Sequence, residues 1–123
     1  MLNLSEEQIA AILDAVPFEI VFIDENDCIR YRNKAGHRIV PISEELIGRD
    51  LHGCHREASL PKVDKILSEL KSGEADETWF WISSDAPRIL NRFIALRDTS
   101  GKYLGTLEYM LDFDAIASIA DGK

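Results

Sequence analysis

Three groups of residues in this chain have the chemistry for a site. His52-Gly53-Cys54-His55 places a thiol beside two imidazoles, a donor set that suits zinc or haem iron. A closed structural zinc site takes four ligands in spaced pairs, and Cys28 is the only other thiol, so no metal site is expected from the cluster itself. The plain alternative is a small buried Cys54 and a His55 that hydrogen-bonds its own loop. Arg92 is the second group. It shares one face of an alternating run with Leu90, Ile94 and Leu96. From there it could grip a ligand carboxylate bidentately, pair with a neighbouring acid, or extend to the rim. Trp79 and Trp81, alternating with Phe80 and Ile82, are the third, suited to packing or to stacking on a ligand. No nucleophile has activating partners at a recognisable spacing, and no glycine-rich phosphate loop occurs. Cys54 next to His55 is not a dyad, because adjacent side chains diverge. No catalysis is expected.

The chain bounds what could hold these groups. Its 123 residues are one domain's worth, enough for one core without disulfides or metals. The net charge of −8 opposes a nucleic-acid backbone, and no apolar run approaches the ~20 residues of a membrane span. Charge is uneven. Residues 1–29 hold seven acids and no base, and residues 66–123 hold six bases and ten acids. Residues 30–65 hold eight bases, five acids and all three histidines, His37, His52 and His55. The middle third could therefore present a positive face to an anionic ligand. Two cysteines make no disulfide framework, and no basic-then-apolar leader opens the chain; a cytoplasmic setting with reduced thiols is the expectation.

Local patterns set the elements. Ser5-Glu6-Glu7-Gln8 is a capping box, and Ile9, Ile12, Leu13 and Val16 form one apolar helical stripe ended by Pro17. Phe18–Ile23 and Cys28–Arg32 read as strands around an Asp24–Asp27 turn. Residues 33–58 are irregular, with short helical turns. A longer helix begins at Ser59, with Val63, Ile66, Leu67 and Leu70 as its stripe and Gly73 as its left-handed cap. Thr78–Ser83, Arg88–Arg97 and Tyr103–Leu111 are strands, the last carrying Tyr103, Leu107, Tyr109 and Leu111 on one face, and Ala115–Ala120 is a short amphipathic segment. The expected fold is α+β: a five-stranded antiparallel sheet with short helices and one longer helix on one face, preceded by an amphipathic helix.

This order resembles a PAS domain, and is similar in particular to the PAS module at the C-terminus of proteins with DUF438 and hemerythrin-like regions. The residues that carry the resemblance are Ile23-Asp24-Glu25-Asn26-Asp27, Arg30-Tyr31, Asn33-Lys34-Ala35, Ile47-Gly48-Arg49, Cys54-His55, Ser59, Val63, Lys65-Ile66-Leu67, Ser72-Gly73, Phe80-Trp81-Ile82, Arg97-Asp98 and Gly101–Glu108. Arg56 and Glu57 stand where related modules carry two prolines, and Phe113-Asp114 where they carry Ile-Thr. The resemblance implies a flanking helix over 1–17, the PAS domain over 18–112, and a tail over 113–123 that is a short helix or disordered. It implies a sensory or signalling module that binds a small molecule between sheet and helices, with Tyr31, Cys54, His55, Trp81 and Arg92 as walls. A ligand-free dimerisation or protein-interaction adaptor is the alternative reading. Relatives that hold haem use a histidine near the long helix, which would make His55 the axial ligand. Flavin-binding relatives place a cysteine three residues after a glycine, before Arg-Phe-Leu-Gln; Cys54 lies six after Gly48 without that sequence, which argues against flavin. The resemblance also implies a homodimer through the Ile9, Ile12, Leu13 and Val16 stripe.

Overall fold

A computed structural model describes residues 2–34 and 60–122. The elements are α1 (Glu6–Ala15), β1 (Glu19–Asp24), β2 (Ile29–Arg32), α2 (Leu60–Ser72), β3 (Glu77–Ser83), β4 (Ile89–Arg97), β5 (Tyr103–Asp112) and α3 (Phe113–Asp121). The capping box forms as its sequence dictates: the Gln8 amide donates to Ser5 Oγ at 3.0 Å and the Ser5 amide to Gln8 Oε1 at 2.9 Å. The helix stops at Ala15 because Val16, preceding Pro17, is extended at φ −65°, ψ 129°.

The strands form one antiparallel sheet in the order β2-β1-β5-β4-β3. The β1–β2 turn is built on Asp24, whose Oδ1 accepts from the amides of Asn26 (2.9 Å) and Cys28 (3.0 Å) while Oδ2 takes the Arg30 Nε at 2.6 Å. Burial pushes the Asp24 carboxyl up, but the Cys28 amide, Arg30 and the Asn26 amide together hold it below its usual value. Asn33 then ties the sheet to α1. Its Oδ1 accepts from the Ile20 amide at 2.9 Å, and its Nδ2 donates to the carbonyls of Phe18 at 2.8 Å and Leu13 at 3.2 Å.

Helix α2 covers one face of the sheet. Val63 and Leu67 pack with Val21, Ile23 and Ile29, and Ile66 and Leu70 with Phe93. Its C-terminal end is fixed twice, by Lys71 on Asp27 at 2.6 Å and by Arg97 donating to the Leu70 carbonyl. Gly73 caps it at φ +86°. A register shift between Leu96 and Arg97 corrects the expected grouping of Tyr103 with Leu107, Tyr109 and Leu111. The Tyr103 ring lies against Arg97 and its hydroxyl meets Thr106 at 2.6 Å, so it turns to the α2 side. Helix α3 starts two residues before the segment read from the sequence, because Asp112 caps it by accepting from the amides of Asp114 (3.1 Å) and Ala115 (3.0 Å). No helix among the described residues is long and apolar enough to cross a membrane.

Candidate functional site

Strand alternation assigns each side chain a face, and paired residues on neighbouring strands share it. Phe93 packs under α2, so Asn91 and Ala95 face the same way. The register carries that face to Thr106, Glu108 and Met110 on β5 and to Glu19, Val21 and Ile23 on β1. Arg32 of β2 joins it opposite Val21. The floor beneath the α2 side is therefore apolar near α2 and polar at its other end. There Glu19, Asn91 and Glu108 are 3%, 6% and 5% exposed. Glu108 lies diagonally between the other two, one strand from each.

A carboxyl in that position is electrostatically costly. Loss of water around Glu108 raises its pKa; a hydrogen bond from Asn91 opposes the rise and the neighbouring charge of Glu19 adds to it, leaving it at about 7. The Asn91 amide is engaged with Glu108, while Asn91 Oδ1 is buried with no hydrogen-bond partner among the described residues. A buried acceptor without a donor is a feature that calls for an explanation.

The residues expected as cleft walls fall elsewhere. Cys54 and His55 lie outside the described residues. Tyr31 pairs with Phe22, and Arg92 with Trp79 and Tyr109. Trp81 follows Phe80, which packs against the Ile66–Leu70–Phe93 cluster. Tyr31, Trp81 and Arg92 thus point to the face opposite α2, which corrects their placement between sheet and helices: alternation separated them from Phe93 and Phe80 but could not say which set α2 covers. On that outer face Arg92 donates to Glu77 and to the Tyr109 hydroxyl. It lines an open groove of about 300 Å³ with Glu77, Trp79, Trp81, Leu90 and Phe113. The hydrogen bond to Glu77, then that to Tyr109, raises the guanidinium pKa, so Arg92 stays charged. Tyr31 stands apart from that groove and donates its hydroxyl to Asp14 of α1. Of the stripe on α1, Ile12 is 54% exposed and no residue is fully buried. Among the described residues no three His, Cys, Asp or Glu side chains gather as a metal site.

Sequence reasoning passed over Glu19, Asn91 and Glu108. The available signal was Asn91 between Ile89 and Phe93, a single polar residue on an apolar face, and Glu108 between Thr106 and Met110.

The fold has clear counterparts. A family model described as PAS domain matches residues 9–114, and the chain belongs to that family of sensory and signalling domains. Its structure is similar to the C-terminal domain of a Streptococcus mutans protein at 28% identity, with a TM-score of 0.86 over 97% of this chain and 94% of that one. It shares its fold with the PAS domain of Bordetella pertussis BvgS (13% identity, TM-score 0.67, 94% of this chain and 93% of that one). It does so too with Vibrio cholerae VqmA in a ligand–DNA complex (20%, TM-score 0.66, 89% and 51%). A comparison with curated proteins finds no match.

Proposed function

We propose that the domain is a sensory module that binds a small molecule on the α2 side of the sheet and performs no catalysis. The observation that carries this reading is Asn91 Oδ1, a buried acceptor with no donor among the described residues, set beside two buried carboxyl groups. A stable fold leaves such an atom unsatisfied at a cost of about 1–3 kcal/mol, and a ligand donor offsets that cost. Cys54 and His55 are proposed as further ligand contacts. VqmA is bound to both a ligand and DNA in its structure. Only ligand binding is carried over to the present chain, because a net charge of −8 opposes DNA.

Native mass spectrometry with an absorbance scan tests the reading. The expected result is a small molecule that is retained, or taken up from a metabolite extract, and that Asn91→Leu releases while circular dichroism stays unchanged. A protein that takes up nothing is the ligand-free adaptor. Haem is read in the same scan: a sharp Soret band on adding hemin, lost in His55→Ala, would establish it, and a broad unchanged spectrum in both proteins is expected.

A homodimer through α1 belongs to the same proposal. Ile12 at 54% exposure, with Leu2 at 71% and Leu4 at 43% just before the helix, leaves the apolar side of α1 only partly covered by the described residues.

A further inference from the structure

Trp79 and Trp81 are the only tryptophans of the chain, and both line the outer-face groove of about 300 Å³. They are 56% and 44% exposed, so large ring surfaces stand in water beside a hollow of small-molecule size. Trp81 meets Phe113 with 5.8 Å between ring centroids and 54° between ring planes, an aromatic corner at one end of the groove. Phe113 opens α3 and is held in place: its amide donates to the Arg88 carbonyl at 2.9 Å, and Asp114 Oδ2 accepts from the Arg88 amide at 2.7 Å. That wall is set before any ligand arrives. The other end is polar. Trp79 lies opposite Arg92 across β3–β4, and Glu77 precedes it on the same face. Arg92 Nη2 donates to Glu77 Oε2 and Nη1 to the Tyr109 hydroxyl at 2.5 Å. Among the described residues Arg92 Nε and Glu77 Oε1 make no hydrogen bond, and the two side chains are 32% and 49% exposed. The pair offers N–H donors and a carboxylate acceptor side by side, with no net charge.

We propose that this groove binds a planar, uncharged heteroaromatic lactam, whose ring stacks on the tryptophans and whose adjacent N–H and C=O meet Glu77 and Arg92. Charge complementarity selects that class. An anion drawn to Arg92 finds Glu77 beside it, and a cation drawn to Glu77 finds Arg92. A hydrocarbon of the same shape strips water from both ions and returns no hydrogen bond. A lactam gives the carboxylate a donor and the guanidinium an acceptor, both in charge-assisted bonds, while its ring covers exposed indole surface. The site is separate from the α2-side floor, being on the opposite face of the sheet. It is also away from α1, which Asp14 ties to Tyr31 on β2, at the other edge of the sheet from β3.

NMR titration of the isotope-labelled full chain decides it, because the indole N–H signals of Trp79 and Trp81 both report on the groove. The probes share one bicyclic shape: carbostyril for the lactam, naphthoate for the anion, naphthylmethylammonium for the cation and naphthalene for the bare ring. Carbostyril should move both indole signals saturably and bind about tenfold tighter than each of the other three. Glu77→Gln, at an exposed position, leaves Arg92 unneutralised and should turn the preference to naphthoate. Arg92→Gln should turn it to the ammonium, with the fold of each variant checked by circular dichroism. Tighter binding of any other probe by the unaltered chain, indole signals that no probe moves, or a preference unchanged in Glu77→Gln overturns the proposal. Indole signals that move with protein concentration and not with carbostyril overturn it as well, and assign the groove to a second copy of the chain.

Discussion

Glu108 makes stability depend on pH in a direction opposite to most carboxylates. Its pKa rises from 4.5 to about 7 on folding, so between those values the folded chain holds a proton that the unfolded chain has lost. Stability then falls as pH climbs from 4.5 to about 7 and stays level above, a loss of roughly 3 kcal/mol. Glu108→Gln should accordingly leave stability near pH 5 almost unchanged and raise it at pH 8 by an amount of that order, read from urea unfolding at both pH values. Asn33 has the opposite character. It is fully buried and satisfied at both ends by backbone groups from α1 and β1. Asn33→Ala strips the Ile20 amide and two carbonyls of their partner, and should cost about 2–4 kcal/mol at every pH.

Gly105 decides how closely β1 and β5 approach. At φ +151°, a Cβ there would stand 2.4 Å from the Ile23 carbonyl oxygen and 2.7 Å from the Phe22 ring. Both neighbours are held inside the sheet. Gly105→Ala should therefore cost more than about 2 kcal/mol, which thermal unfolding would show as a drop of roughly 8 °C or more. The strands themselves were legible before any coordinates, because period-two alternation and turn residues mark Ile89–Arg97 and Tyr103–Asp112 within a residue or two. The capping box at Ser5 and the left-handed cap at Gly73 were legible for the same local reasons. The site was not. Alternation separates Arg92 from Asn91 without saying which of them α2 covers, and that depends on Ile66 and Leu70 meeting Phe93. Arg92 drew attention as a charge among aliphatics, yet Glu77 and Tyr109 answer it from neighbouring strands, partners that only the register supplies. Glu19 and Glu108 drew no notice in the sequence, since their common burial arises from pairing residues nearly ninety positions apart.

Self-association is the property on which the whole chain's charge and its apolar faces pull against each other. The stripe on α1 is part-exposed and the outer sheet face shows Trp79 at 56% and Trp81 at 44%. Seven acids crowd residues 1–29 and would repel their copies about a two-fold axis. Screening weakens that repulsion, so added salt should strengthen the dimer. Analytical ultracentrifugation at low and high salt should show this shift, and Ile12→Asp should give a monomer with little loss of stability because Ile12 is already half exposed. A monomer at every salt and concentration would leave α1 as a flanking helix of a single chain.

The middle place in the sheet belongs to its last strand. β5 lies between β1 and β4, so β1–β2 and β3–β4 are two hairpins with no contact along the sheet until β5 enters. On a ribosome, where the chain emerges from its first residue onward, neither hairpin has a finished neighbour before Asp112 is made, and a two-stranded hairpin is marginal in water. Assembly of the sheet thus waits for the end of the domain, and then joins Glu19–Asp24 to Gly105–Met110 across a long loop, an ordering that favours slow folding. A chain cut after Arg97 keeps nearly every core residue and should nevertheless fail to fold, because it lacks the strand to which both halves attach.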